Sequence, residues 1–263
     1  MRALWTAASG MKAQQLNIDT ISNNLSNVNT TGYKKQRIEF KDLMYEKLRR
    51  TDFNEGEGKP VNLEVGHGVM PAASVRSFTE GSFEQTNNNL DLAINGQGFF
   101  VVRDNNDNLF FTRDGSFKLS IEDGEARIAT ADGYFVQSDI GDIELGRDIS
   151  DIFVSPDGVV SVKRTDTEEI EEIAVLQIVK FPNPAGLESI GKNLFKETTA
   201  SGQYVESFQG DAGEVLQGFL ETSNVQVVEE MIKLITAQRA YEVNSKSIQT
   251  SDEMLQMANN LRR

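Results

Sequence analysis

The chain contains no cysteine. Disulfides, thiolate nucleophiles and cysteine-based metal sites are therefore excluded. It has one histidine, His67, set in Gly66-His67-Gly68, which reads as a loop residue rather than a catalytic base. No apolar run approaches the ~18 residues that a membrane-spanning helix needs. The first fifteen residues lack a continuous apolar stretch, and Gln14 and Gln15 stand where one would continue. The expectation is that no cleaved secretory signal is present. A cytoplasmic chain or export by a route that reads no such signal remains open.

The familiar chemical motifs are missing as well. Asp104-Asn105-Asn106-Asp107-Asn108 begins like a calcium loop but has Leu109 at the sixth position and Gly115 at the twelfth, where glycine and glutamate are required. It reads as a polar hairpin turn. Gly96-Gln97-Gly98 lacks the third glycine and following helix of a dinucleotide fingerprint. No phosphate-binding loop occurs, and no carboxylate pair stands out for glycoside cleavage. Glu168, Glu169, Glu171 and Glu172 read as a solvated turn. The chain is therefore expected not to be an enzyme, and to use no cofactor and no metal.

What is present is enough for a packed core: 263 residues, 38% hydrophobic and 25% charged, fit one large or two modest domains. Charge is uneven. Residues 1–50 carry nine basic and four acidic side chains, a net of +5, so the rest of the −14 chain is at −19. An acidic body argues against nucleic acid. The basic stretch Lys34 to Arg50 reads as a surface that docks on acidic protein neighbours.

Two helical stripes occupy the ends. At the N-terminus Leu4, Ala7, Met11, Gln14, Ile18, Ile21, Leu25 and Val28 recur in steps of three and four, a coiled-coil-like pattern. A helix of ~28 residues would be about 42 Å long. Asn29, Thr30, Thr31 and Gly32 end it, Gly32 being able to take a left-handed conformation. Its opposite face carries uncharged Gln15, Asn17, Thr20, Ser22, Asn23, Asn24, Ser26 and Asn27. Such a face suits a helix surrounded by neighbours, because uncharged polar groups pair without burying ions; in the free chain the segment is expected to be disordered. At the C-terminus, from about Ser223 to Arg262, the stripe is Val227, Met231, Leu234, Ala237, Tyr241, Asn244, Ile248, Ser251, Leu255 and Ala258. Ser223 and Gln226 form a capping-box pattern. The small and polar members weaken the seam, so partners must stabilise this helix.

Between the ends the period changes to two. Strands are expected at 73–79, 92–95, 99–103, 109–112, 116–120, 126–130, 134–137, 152–155, 159–163 and 173–181. They are punctuated by Asn95-Gly96, Asp114-Gly115, Asp123-Gly124, Asp132-Gly133 and Asp157-Gly158, which are hairpin-type turns. The fold class is α+β: long N- and C-terminal helices paired as a coiled-coil-like helical domain, an inserted irregular all-β domain and an extended connector. The expected divisions are 1–30 (first helix), 31–72 (extended connector, with 51–68 loop-like), 73–210 (β domain), 211–222 (return connector) and 223–263 (second helix).

Three stretches carry a family resemblance. Ser22-Asn23-Asn24-Leu25-Ser26-Asn27-Val28-Asn29-Thr30-Thr31-Gly32-Tyr33-Lys34 resembles the N-terminal signature of bacterial flagellar axial proteins, the rod and hook subunits. Asn89 to Phe100, followed by Phe111-Thr112-Arg113-Asp114-Gly115-Ser116-Phe117, resembles the start of their β domain. Glu221-Thr222-Ser223-Asn224-Val225, Glu229 to Ile232 and Gln238 to Lys246 resemble their C-terminal signature. Leu4-Trp5-Thr6-Ala7, Gly186 to Asn193-Leu194, and the stretch Glu46 to Gly68, with Phe53, Gly56, Pro60, Leu63 and Gly68, are similar to the distal rod branch. The proximal rod branch is the nearest competitor.

The resemblance implies a self-assembling homo-oligomer, a hollow helical tube with terminal helices inside and β domain outside, carrying motor torque to the hook. It implies unfolded export through the flagellar type III apparatus to the periplasm-spanning rod. Proximal rod proteins, hook protein and the periplasmic or outer-membrane ring proteins are the implied partners, without direct membrane insertion. Self-assembly would run through Leu4, Met11, Ile18, Ile21, Asn24, Leu25, Asn27 and Val28 on the first helix. On the second it would use Val227, Met231, Leu234, Tyr241, Asn244, Ile248 and Leu255. Asn29, Gly32 and Tyr33 form the family's turn motif. The 51–68 segment is expected to brace adjacent subunits. A secreted β-rich fibre or adhesin subunit, a periplasmic enzyme and a monomeric scaffold are the competing classes.

Overall fold

The computed structural model describes residues 2–49, 63–122, 125–146, 149–164, 170–206 and 213–260. The chain divides into two compact units. One comprises Met1–Ser26, Gln36–Arg76 and Gln226–Arg263; the other comprises Asn27–Lys35 and Ser77–Val225.

The first unit holds helix α1, Arg2–Ser26, and helix α2, Val227–Asn260. Gly10 lies against Asn244 and Asn24 bonds to Glu230, so the helices run antiparallel. A segment expected to be unfolded outside an assembly is thus helical in the single chain, with its partner supplied by that chain. The first helix stops at Ser26, short of the expected boundary, and Asn27 and Val28 lie in the turn beyond it. There Thr30 Oγ1 donates to Asn27 Oδ1 at 3.2 Å and Thr30 N to Asn27 O at 3.2 Å, local bonds that compete with the helical ladder. The capping box is also not formed. Ser223 Oγ accepts from Val225 N at 3.3 Å, and the first turn closes instead by Glu230 N donating to Gln226 O at 3.0 Å. Glu229 and Glu230 occupy that first turn, where negative charge is stabilised by the positive end of the helix dipole.

The 31–72 stretch contains paired strands. Gln36–Asp42 pairs antiparallel with Val69–Arg76, with a bulge between Glu39 and Phe40. Tyr45–Arg49 pairs antiparallel with Leu63–Gly66. The connector is therefore partly β-structure, and residues 50–62, with Phe53, Gly56 and Pro60, lie outside the described residues.

The second unit is the β body. Its largest sheet runs in the order Glu144–Gly146, Glu125–Ala129, Phe135–Ser138, Phe99–Arg103, Leu109–Thr112, Leu194–Lys196, Glu188–Gly191. A three-stranded sheet of Ile149–Val154, Val159–Arg164 and Ile170–Val175 joins it, with the pairs Leu92–Asn95/Glu214–Gln217 and Phe83–Gln85/Phe219–Glu221. The central strand explains itself from sequence. Phe100 and Val102 enter one buried cluster with Leu92, Phe117 and Ile128, whereas Phe99 and Val101 enter a second with Phe111, Val179 and Phe181. A strand covered on both faces must be continuously apolar, and Phe-Phe-Val-Val is.

The strand expected over 173–181 is two strands. Ile170–Val175 pairs with Val159–Arg164, and Ile178–Lys180 pairs with Phe99–Arg103. Gln177 N donates to Gln137 O at 3.1 Å where the chain changes sheets. Glu171 and Glu172 stand in the first of these strands rather than in a solvated turn, because their neighbours Ala174 and Leu176 are buried. Glu168 and Glu169 lie outside the described residues.

Candidate functional site: a helix pair and a buried ion clasp

In the first unit the inner face of α2 is Glu230, Leu234, Ala237, Asn244, Ile248 and Ser251, all buried or partly buried, with Tyr241 at 38% exposure between them. The central members of the expected stripe thus face inward. Its ends do not: Val227, Met231 and Leu255 are 40%, 50% and 46% exposed, and Glu230 takes the inward place expected of Met231. On α1, Ala7, Ala13, Ile21 and Asn24 are buried, while Leu4, Met11, Ile18 and Leu25 are partly buried. Small residues allow the helices to approach, for a Cβ on Gly10 would come 2.9 Å from Asn244 Nδ2.

Asn24 was expected on the outer polar face, and it sits inside. Its Nδ2 donates to Gln36 O at 2.8 Å and to Glu230 Oε2 at 3.3 Å, while its Oδ1 accepts from Gln36 N at 2.9 Å. One amide therefore joins the end of α1, the start of α2 and the first residue of the strand Gln36–Asp42. The Glu230 carboxylate also accepts from Lys233 Nζ at 2.7 Å. Asn24→Ala would leave the Gln36 main chain without these partners. The expected cost is about 2 kcal/mol, read as a lowered urea midpoint, with faster amide exchange at Gln36. A midpoint unchanged from wild type would contradict this role.

Gly68 and His67 lie beside the start of α1. Gly68 has φ +115° and approaches Ser9 so closely that a Cβ would overlap the hydroxyl. His67 Nε2 lies 3.9 Å from Glu46 Oε2, which also accepts from Arg2 Nη2 at 2.5 Å. These groups are half exposed.

The second unit contains a buried ion cluster. Lys34 and Glu221 are each 1% exposed and Arg113 is 3% exposed. Lys34 Nζ donates to Glu221 Oε1 at 2.6 Å and to Thr79 O at 2.8 Å. Gly81 N donates to Glu221 Oε1 at 2.9 Å. Arg113 Nη1 donates to Ile94 O at 3.2 Å and to Glu221 Oε2 at 3.4 Å, and its Nη2 donates to Gly96 O at 2.6 Å. Burial pushes both the Lys34 ammonium and the Arg113 guanidinium down from their usual pKa ranges, against the opposing pull of Glu221. Both oxygens of Glu221 are occupied by donors, so the carboxylate is held rather than offered to a substrate.

The turn motif surrounds this cluster. Gly32 has φ +65°, the left-handed conformation expected of it, and its N–H donates to Glu221 O at 2.8 Å. Tyr33 is buried, and its carbonyl accepts from Asn224 N at 3.4 Å. Asn224 Oδ1 accepts from Lys35 N at 2.7 Å and its Nδ2 donates to Ser77 O at 2.8 Å. Asn193 Nδ2 donates to Thr31 O at 3.0 Å. Asn29 is exposed. Lys34, expected on a basic docking surface, is thus an interior residue. Arg113 and Glu221 lie within the family signatures, and no local pattern marks either as a member of an ion cluster.

The comparisons with known proteins divide along the same lines. The family described as "Flagella basal body rod protein" matches residues 4–34, "Flagellar hook protein FlgE/F/G D1 domain" matches 93–162, and "Flagellar basal body rod FlgEFG protein C-terminal" matches 216–261. The flagellar basal-body rod protein FlgG of Borreliella burgdorferi is 50% identical over 267 residues, covering 100% of this chain and 99% of that protein. The chain belongs to the flagellar basal-body rod protein FlgG family. The FlgG protein of Caulobacter vibrioides is 42% identical with 100% of both chains covered. The flagellar hook-basal body complex protein FlhP of Bacillus subtilis is 31% identical, again over 100% of both. Each of the three FlgG-family segments supplies one member of the ion cluster: Lys34, Arg113 and Glu221.

Proposed function

We infer that the chain is a structural subunit of the flagellar basal-body rod, of the distal type, and that it assembles through its two terminal helices into a hollow tube that carries torque to the hook. The observation that carries this reading is a second apolar face on α2. Val228, Met231, Ile232 and Ile235 are 71%, 50%, 60% and 50% exposed, and their spacing places them on one side of the helix. A helix already packed on one face and apolar on another requires a further partner.

The coiled-coil-like pairing of α1 with α2 belongs to the same reading. The contacts Gly10–Asn244 and Asn24–Glu230 are 14 residues apart on both helices, which is two heptads and is what such a seam predicts. In the polymer, 1–30 and 223–263 form the inner helical layer and 73–210 the outer β layer. The 31–72 and 211–222 segments link them, and residues 51–68 brace neighbours. Proximal rod, hook and ring proteins adjoin the tube, and export is by the flagellar type III route, without catalysis.

Electron microscopy of the concentrated full chain is expected to show straight tubes, with none from chains lacking 2–26 or 227–260. Removing only 51–68 is expected to leave tubes that bend. Tubes from a chain without 2–26 would overturn assembly through the helices and favour the β-rich fibre. Straight tubes without 51–68 would remove the bracing role alone.

A further inference from the structure

Trp5, the only tryptophan of the chain, is 76% exposed near the start of α1. It lines a cavity of about 340 Å³ with Arg2, Thr6, Glu46 and His67. That volume falls within the roughly 300–1,000 Å³ of small-ligand sites. The cavity is built into the fold of the first unit. The turn that carries His67 is held on α1, where Val69 N donates to Ser9 Oγ at 3.4 Å, and Arg2 is bonded to Glu46 on the neighbouring strand. Tryptophan and arginine are the side chains that most often dominate protein contacts. The second apolar face of α2, with Val228, Ile232 and Ile235, lies near the start of that helix and is also exposed.

We propose that the cavity beside Trp5 is a docking site for Val228, Ile232 and Ile235 of a second copy of this chain, joining copies head to tail. The placement of the two surfaces selects that occupant. The helices run antiparallel, with Gly10 against Asn244 and Asn24 against Glu230. Trp5 and Ile232 are therefore about 25 Å apart along the helix pair, and α2 cannot fill the cavity of its own chain. Local charge agrees. Exposed Glu229 precedes Ile232 by three residues, which places it beside the apolar face, and the half-exposed Arg2 guanidinium lines the cavity. The contact covers apolar surface on both partners at once. Because it joins two different patches, it repeats from copy to copy, and where the rotation does not close it builds a helical filament. The proposal deepens the rod-subunit reading and rests on its assembly through the terminal helices.

The test uses two full-length variants, each keeping one half of the contact. Ile232→Glu keeps the cavity and the only tryptophan, whereas Trp5→Ala keeps the α2 face and carries no tryptophan. Both positions are exposed; an unchanged far-UV circular dichroism spectrum checks the fold, and Ile235→Glu is a second blocked face. Each variant alone is expected to need roughly tenfold more protein than wild type to form tubes. Titrating Trp5→Ala into dispersed Ile232→Glu is expected to move Trp5 emission to the blue, saturating at one to one. No saturable shift would overturn the contact. An equal shift from a titrant carrying both substitutions would mean that another part of the chain fills the cavity, which overturns the α2 face as occupant. Tubes from both variants at the wild-type concentration would overturn the contact and leave the rod reading standing. Saturable pairing of the variants, with no tubes from wild type, would uphold the contact and overturn the rod reading.

Discussion

A Glu221→Ala chain is expected to lose about 3–5 kcal/mol of stability, because the substitution leaves two buried cations without their counter-charge. The loss should appear as a lowered urea midpoint for the amide of Val102, a residue buried in the β-body core. Removing the carboxylate also strands the Gly81 N–H, which now donates to it. The sign of the effect separates two accounts of the cluster. A buried ion group adds little net stability over apolar groups of similar volume, since desolvation offsets attraction, yet breaking one member is severe. The triple replacement Lys34→Met, Arg113→Met, Glu221→Leu is therefore expected to be more stable than Glu221→Ala alone. If Glu221→Ala unfolds within about 1 kcal/mol of wild type, the cluster does not close the β body.

What the sequence disclosed and what it hid can be traced to the range of each interaction. The end helices were legible because a stripe at steps of three and four is a local pattern, and the Phe99–Arg103 strand was legible because a doubly covered strand is locally apolar. The inner position of Glu230 was not, since Met231 one residue on is the better apolar candidate; the Asn24 amide opposite and the Lys233 ammonium one turn on make the carboxylate fit. The ion cluster was hidden for a stronger reason. Lys34 and Glu221 are 187 residues apart, and no local period marks two charges that meet only in the folded chain. The strand pairing within the extended connector was hidden for a related cause. Ile38 and Phe40 alternate with Arg37, Glu39 and Lys41 in period two, but that local pattern does not name a partner. Its partner strand lies at Val69–Arg76, beyond a stretch with no comparable signal.

Replacing Gly115 by alanine is expected to cost about 3 kcal/mol or more, whereas Gly133→Ala is expected to cost only about 1–2 kcal/mol. Both glycines follow an aspartate and both read from sequence as hairpin punctuation, but their physical demands differ. Gly133 has φ +86° in the turn between Glu125–Ala129 and Phe135–Ser138, and a Cβ there meets nothing within 4 Å. Its cost is backbone strain alone. Gly115 does not join two strands that pair with each other. A Cβ there would lie 1.6 Å from Leu92 O and 2.7 Å from Leu92 C, which no rotamer relieves. Leu92 is 1% exposed in the larger core cluster and its N–H donates to Gly115 O at 3.0 Å. Its strand, Leu92–Asn95, is also held by Glu214–Gln217. Moving Leu92 away would therefore disturb the core, the strand pair and the Ile94 carbonyl that holds Arg113. Urea midpoints of the two variants should differ accordingly, and equal losses would mean that the Asp114-Gly115 turn needs only conformational freedom.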